Sequence, residues 1–277
     1  NRGAIATCDA NSHPLILICA MDDFNGRLRT SLIVLDVETG KTDQYWYPNE
    51  NTPLGEDYAV LLSSKNYFYV MFGNKFLEFD INLRKWTFAG DGPGMAMSFT
   101  ENDEGIIYAA TYPGSHLISF NPKTREFINY GQMDPQEKYP RALACDRSGW
   151  VYCGTGMARG NLVAFNPQTK EKIQIPKEEE RKPGSGDTYR GVDGNVYGHS
   201  GDNKWYQLFE GKATPLQEKP YVARMPIKTG AQGTIITDFP DGRKIVQLNL
   251  PEKWVKIREK TGKIKHIDFD YKCEGLI

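Results

Sequence analysis

The apolar residues of this chain fall in short runs that end on an Asp or an Asn, and the runs recur. Leu32-Ile-Val-Leu-Asp36, Phe76-Leu-Glu-Phe-Asp80, Leu117-Ile-Ser-Phe-Asn121 and Leu162-Val-Ala-Phe-Asn166 align without a gap, with last residues 44, 41 and 45 positions apart. Each run has strand length. The residues just after each run read as a turn, most clearly in Asn121-Pro-Lys-Thr-Arg125 and Asn166-Pro-Gln-Thr-Lys170. There an Asn side chain can bond the backbone two residues on, while Pro fixes φ at the next position. Weaker copies stand at Trp205–Phe209 and Ile245–Asn249. A second landmark keeps the same period: Phe68-Tyr69, Ile107-Tyr108, Val151-Tyr152 and Val196-Tyr197 open strands, mostly after a Gly turn. From Tyr108 to Tyr152 is 44 residues and from there to Tyr197 is 45. No stretch sustains a helical period.

Each unit therefore predicts four short strands. The third is the clearest, with strands over Ala96–Phe99, Ile106–Thr111, Leu117–Phe120 and Glu126–Tyr130. Four-stranded units at a forty-odd-residue period define a β-propeller, in which radial packing buries the two faces that one blade cannot bury alone. The expected fold is thus all-β: a propeller of four-stranded antiparallel blades in one domain spanning residues 1–277. Six units start near Gly3, Pro53, Pro93, Tyr139, Gly186 and Tyr221, the sixth being the least regular. The tail from Tyr271 to Ile277 resembles another inner strand. Either it closes a six-bladed ring, or the chain is a piece of a larger propeller, incomplete at its C-terminus. An open disc leaves two sheet edges exposed, which favours a seven-bladed parent.

Composition narrows the partners. With 34 basic against 35 acidic side chains the net charge is -1, so no basic surface points to nucleic acid. The run around Lys253, Lys256, Arg258, Lys260, Lys263 and Lys265 reads as a solvated hairpin. The longest apolar stretch, Leu15–Met21, suits a buried strand and falls far short of the ~20 residues of a membrane helix. The chain opens on Asn1 with no signal peptide, and the expectation is a processed or trimmed protein that is secreted or periplasmic. The five cysteines include no CxxC pair, which argues against a zinc site and for buried free thiols.

On a propeller, the loops joining second to third strands and each blade to the next emerge on one face, here termed the loop face. The first-to-second and third-to-fourth turns emerge on the other, the turn face. The irregular loops are expected on the loop face, where function usually sits: Met21–Arg29, Glu56–Tyr58, Tyr112–His116, Tyr139–Arg141, Met157–Arg159, Asp187–Arg190 and His199–Lys204. Every candidate has a plainer reading. His116 can simply cap its loop, and His199 can be a satisfied core imidazole. Arg141 and Arg190, on or beside inner strands, can each be held by an internal Asp. Tyr108, Tyr152 and Tyr197 recur with the repeat and read as packing residues, while His13 and His266 read as structural or exposed. There is no Gly-rich phosphate loop, HExxH, GxSxG or EF-hand loop, and Asp22-Asp23 with Asn25 is too short for calcium. No cofactor and no metal are expected.

The blade pattern from Ile107 to Thr124, repeated from Val151 to Thr169, resembles that of secreted bacterial propellers, among them polysaccharide lyases and related glycosidases that act on uronic-acid-containing glycans. It is similar, less specifically, to quinoprotein-like and gluconolactonase-like propellers. The resemblance covers blades two to five and rests on structural residues. It implies a polysaccharide or oligosaccharide ligand and a site of His, Tyr and Arg, in which a base removes the proton α to a uronate carboxylate, an Arg neutralises that carboxylate and an acid protonates the leaving oxygen. On this chain the base would be His116 or His199, the acid Tyr139 or Tyr189, and the neutraliser Arg141, Arg159 or Arg190, with Tyr112 and Lys204 beside the substrate. Two readings stay open: a carbohydrate-active lyase or glycosidase, or a non-catalytic propeller that binds a glycan or a protein partner.

Overall fold

The structure, a computed structural model, describes residues 3–24, 27–48, 57–201, 204–231 and 234–271. Asn25, Glu56, the Asp202-Asn203 pair and the tail beyond Tyr271, with Cys273, lie outside the described residues. The described residues form six antiparallel sheets and no α-helix; one 3-10 turn covers Glu178–Glu180. No helix among them is long and apolar enough to cross a membrane.

Blade 1 holds β1 (Ala4–Cys8), β2 (Pro14–Phe24), β3 (Arg27–Asp36) and β4 (Thr42–Trp46). Blade 2 holds β5 (Asp57–Leu62), β6 (Tyr67–Phe72), β7 (Lys75–Asp80) and β8 (Lys85–Asp91). Blade 3 holds β9 (Met95–Glu101), β10 (Ile107–Tyr112), β11 (His116–Asn121) and β12 (Glu126–Gln132). Blade 4 holds β13 (Pro140–Cys145), β14 (Val151–Thr155), β15 (Asn161–Phe165) and β16 (Lys172–Gln174). Blade 5 holds β17 (Gly186–Arg190), β18 (Val196–Ser200), β19 (Trp205–Phe209) and β20 (Lys212–Pro215). Two short strands, β21 (Lys228–Ala231) and β22 (Ile235–Ile236), precede the sheet of blade 6: β23 (Lys244–Asn249), β24 (Trp254–Arg258) and β25 (Ile264–Asp268).

The repeated Asp and Asn close turns, as their position predicts. Asp36, Asp80, Asn121 and Asn166 each accept two backbone N–H groups, from the residues two and three further on, closing the third-to-fourth turn. The residue four further on then takes a left-handed conformation, with φ of +72° at Gly40, +55° at Arg84, +64° at Arg125 and +62° at Lys170. Blade 5 departs from this pattern. Its hairpin turns through Glu210-Gly211, both with positive φ (51° and 74°), as the twist of a two-residue loop requires.

Alternating side chains bury both faces of each blade. In β2, Ile16 and Ile18 pack with Val255, Ile257 and Ile267 of blade 6, whereas Leu15 and Leu17 pack with Val60, Phe68 and Phe79 of blade 2. Further clusters join blade 2 to 3, 3 to 4 and 4 to 5. Tyr69 and Tyr152 sit inside them, and Tyr197 packs with Tyr189 and Trp205 on blade 5. Tyr69, Tyr152 and Tyr197 are buried, with hydroxyls on Glu78 (2.6 Å), Asp146 (2.9 Å) and Asp193 (2.8 Å). Burial first, then these carboxylates, push the phenols above their ordinary range.

None of these clusters joins blade 5 to blade 6. Instead Leu216 and Val222 cover the outer face of blade 5, over Tyr189, Tyr197 and Trp205. The sixth unit, expected from Tyr221, begins at Ile235, because the intervening residues cross the ring. Val192 N–H bonds Ala223 O and Met225 N–H bonds Arg190 O, tying the chain to the end of β17. β21 then runs antiparallel to the inner strand of blade 2, with Lys228 opposite Leu62 and Ala231 opposite Ala59. Returning, β22 pairs in parallel with β1, and the chain continues into bonds between residues 237–239 and 243–245. Residues 235–239 are therefore the inner strand of blade 6, and β21 lies in the channel.

Blades 4 and 5 meet backbone to backbone near the loop face. A Cβ on Gly154 would stand 2.6 Å from the Gly186 carbonyl, an approach that only glycine allows. Gly154→Ala is expected to lower stability by about 1–3 kcal/mol, read from urea unfolding as a lower midpoint with unchanged slope.

Candidate functional site

The structure distributes the sequence candidates over both faces and several blades. On the loop face, Tyr112 ends β10 and stacks on Tyr139 with ring centroids 4.5 Å apart and hydroxyls at 3.4 Å. The hydrogen bond with Tyr112 raises the Tyr139 phenol above its ordinary range. Arg141 is exposed on β13 just beyond this pair. His116 opens β11 of blade 3, and His199 lies in β18 of blade 5, edge-on to Trp205 at 4.7 Å. Each imidazole has a buried Nδ1 without a partner. The two rings share no hydrogen bond or ring contact among the described residues. Lys204 sets its ammonium 5.7 Å from the centre of the Tyr206 ring.

Arg159 is tied to the segments that enter and leave blade 4. Its N–H donates to Glu137 Oε1 at 2.6 Å, its Nη1 to Glu178 Oε1 at 2.6 Å and its Nη2 to the Glu178 carbonyl. Beneath it lies a buried ionic latch. Asp134 Oδ2 accepts from Arg181 Nη2 (2.8 Å), Asn161 Nδ2 (2.6 Å) and Thr155 Oγ1 (3.3 Å), while its Oδ1 accepts the N–H groups of Gln136 and Glu137. Both charged side chains are at most 1% exposed.

Tyr189 and Arg190 are placed away from the loop face. β17 begins there at Gly186, so its last residue, Arg190, emerges at the turn face. Arg190 makes a two-pronged ion pair with Asp103 of the blade 3 turn, at 2.8 and 2.7 Å. Tyr189 stacks on Tyr197 at 5.6 Å, with the Arg224 guanidinium 4.5 Å from its ring centre. The expectation that both join one rim on the loop face does not match the register.

The turn face instead holds a cavity of about 720 Å³ where the inner strands end around the axis. Blade 1 lends Thr7–Ala10, blade 2 Leu62–Ser64, Asn66 and Asn82, blade 3 Glu101–Asp103 and blade 5 Arg190; the crossing segment closes it with Met225–Lys228. Its wall is tied by short bonds between blades. Glu101 accepts the N–H and hydroxyl of Ser64, both at 2.7 Å. Asn66 joins Thr7 (2.8 Å) and the Cys8 carbonyl (2.7 Å), and Asn82 accepts the Ala10 N–H at 2.8 Å. Lys228 Nζ reaches the Ala6 carbonyl at 3.2 Å. Burial lowers its pKa from the ordinary lysine value, opposed by the charges of Cys8 and Asp238. No group of three His, Cys, Asp or Glu side chains among the described residues is arranged for a metal.

Sequence reasoning passed over this site because its residues read as turn chemistry. One signal was present: Cys8-Asp9-Ala10, Leu62-Ser63-Ser64 and Glu101-Asn102-Asp103 hold equivalent positions of three successive blades, at the turn-face ends of their inner strands. The fourth wall, from Met225 to Lys228, carries no repeat landmark.

The fold places the chain among β-propeller proteins. No family model matches the sequence, and no curated protein does. Among solved structures, a virginiamycin B lyase from Staphylococcus aureus superposes with a TM-score of 0.53 at 13% identity, over 98% of this chain and 85% of that one. A streptogramin B lyase structure gives 0.51 at 12% identity, over 98% of this chain and 83% of that one. At such identities the likeness is one of fold.

The latch carries a pH signature. Burial works against the Asp134 charge, yet the Asn161 amide, the Gln136 and Glu137 N–H groups and the Arg181 guanidinium outweigh it and lower the pKa below the ordinary 3.8. The stabilisation is present above the unfolded value and lost as pH falls through the folded one. Asp134→Asn, which leaves Arg181 only the half-exposed Glu178 carboxylate as an ionic partner, is expected to cost about 1–3 kcal/mol at pH 7. Its unfolding free energy should also fall less steeply than the parent's below about pH 4, which urea titrations across that range measure.

Proposed function

We propose that the protein is a binding propeller that holds a small carbohydrate-like ligand in the turn-face cavity and does not transform it. The observation that carries this reading is the cavity itself. Its volume, about 720 Å³, lies within the usual range for small-molecule sites. Convergent amides, hydroxyls and charged groups share its wall with the apolar Leu62, Met225, Pro226 and Ile227. A sugar presents the same mixture of hydroxyl edge and carbon face. The lyase alternative needs a base, an acid and a neutralising cation around one reacting carbon. Here the candidate bases stand on blades 3 and 5, Arg190 is held by Asp103 on the opposite face, and Arg159 is held by Glu178. The binding reading is favoured for that reason.

The test is calorimetric titration of the intact protein with a panel of neutral and acidic oligosaccharides, alongside ultraviolet absorbance during incubation with uronate polysaccharides. Saturable binding without formation of an unsaturated product is expected. Ser64→Trp, which fills the mouth, should abolish binding, whereas His116→Ala and His199→Ala should leave it unchanged. An unsaturated product, or full affinity in Ser64→Trp, would overturn the reading.

A further inference from the structure

The polar groups of the cavity wall differ in what they have left to offer. Its acceptors are engaged within the protein. Glu101 takes two bonds from Ser64, Asp103 takes both Nη groups of Arg190, and Asn66 Oδ1 takes the Thr7 hydroxyl. Asn82 Oδ1 takes the Ala10 N–H, and Asn102 Oδ1 takes those of Glu104 and Ile106. The unspent groups are donors. The Asn82 and Asn102 amide NH2 groups make no hydrogen bond with the described residues, nor does the Ser63 hydroxyl proton, whose oxygen accepts the Tyr67 N–H. Lys228 has one hydrogen bond, to a carbonyl, and no carboxylate within ion-pair distance among the described residues; Asp238, which it senses from further off, is paired with Lys244.

The repeat shows how this asymmetry arises. In blades 1 to 4 one side chain at the same repeat position caps the first-to-second turn by accepting backbone N–H groups. Blades 1 and 4 use Asp9 and Asp146, whereas blades 2 and 3 use Ser63 and Asn102; in blade 5 that position is Gly191, and Asp193 two residues on accepts the Asn195 N–H. Ser and Asn give the same cap with one face to spare, and that face carries protons. Both neutral caps line the cavity, as does the Asp9 cap, whose Oδ1 accepts the Asn11 and His13 N–H groups and whose Oδ2 faces His13 Nδ1 and Arg84.

We propose that the cavity selects a small hydroxy acid in its carboxylate form, the carboxylate lying on Lys228 and the hydroxyl oxygens accepting from Asn82, Asn102 and Ser63. This rests on the binding reading above and specifies its ligand. A charge-assisted bond from an ammonium with unspent donors is the strongest single contact the wall offers. A ligand rich in donors alone would leave these protons unmatched.

The experiment titrates the intact protein at pH 7 with D-glucuronate, D-glucose and inorganic phosphate, and repeats the series with Lys228→Met and Lys228→Arg, their folding checked by circular dichroism. Glucuronate is expected to bind about tenfold to hundredfold more tightly than glucose, the worth of one hydrogen bond to a charged group. Lys228→Met should erase that difference and Lys228→Arg should keep most of it. Equal affinity for glucose and glucuronate, untouched by Lys228→Met, would overturn the carboxylate selection and leave the binding reading standing. Phosphate binding as tight as glucuronate would reduce the site to a plain anion site and overturn the hydroxy-acid assignment. Absence of binding by these probes and by the whole oligosaccharide panel would remove both.

Discussion

The inner strand of a blade carries a row of backbone donors and acceptors that faces the axis, and in blades 1 and 2 the chain pairs that row with its own later residues. β21 hydrogen-bonds β5, and β22 hydrogen-bonds β1. An exposed strand edge invites foreign pairing, and buried backbone groups left unmet are costly. The crossing segment answers both demands. In doing so it lies beside β5, brings Met225–Lys228 to the turn face and starts the sixth blade next to blade 1. Without it the turn-face depression would have no fourth wall, and Lys228 would not stand among the turns of blades 1, 2 and 3.

The two faces treat charge differently. On the loop face, Asp134, Arg181, Glu178 and Arg159 consume one another's hydrogen-bonding capacity, and Glu137 ties the remaining loop through the N–H groups of Met157 and Arg159. A buried ion pair of this kind is costly to break, so these loops are fixed rather than free to receive a ligand. On the turn face Arg190 is neutralised by Asp103, but Lys228 is not matched in this way. Residue types that suggest chemistry in a sequence are thus spent on architecture at one face, while ordinary turn residues frame the open space at the other.

What the sequence made legible is what repeats. Asn121 and Asn166 announced their turns because the capping bond is local, made to residues two and three ahead. Tyr152 and Tyr197 announced second strands because each occupies the same buried slot. Strand direction was equally readable, but position along a short strand was not. Arg190 is only four residues from Gly186, and those residues span the thickness of the disc, so reading the segment as one loop moved Arg190 to the wrong face. The crossing between Tyr221 and Ala231 was not readable at all. Its partners, Ala59–Leu62 and Arg190–Val192, are chosen by which edge stands open in three dimensions, and neither lies near it in sequence. At 12–13% identity, propellers of similar shape share the local rules and not the loops.

The donor character of the cavity follows from those same local rules. A side chain that closes a turn by accepting an N–H bond is judged by its oxygen, so Asp, Asn and Ser are equivalent for folding. They are not equivalent for what they show to a ligand. Aspartate at the positions of Ser63 and Asn102 would still cap the turns of blades 2 and 3 while adding two negative charges to the wall that Lys228 shares. The turn-face cavity is a place where both neutral caps meet the same open space.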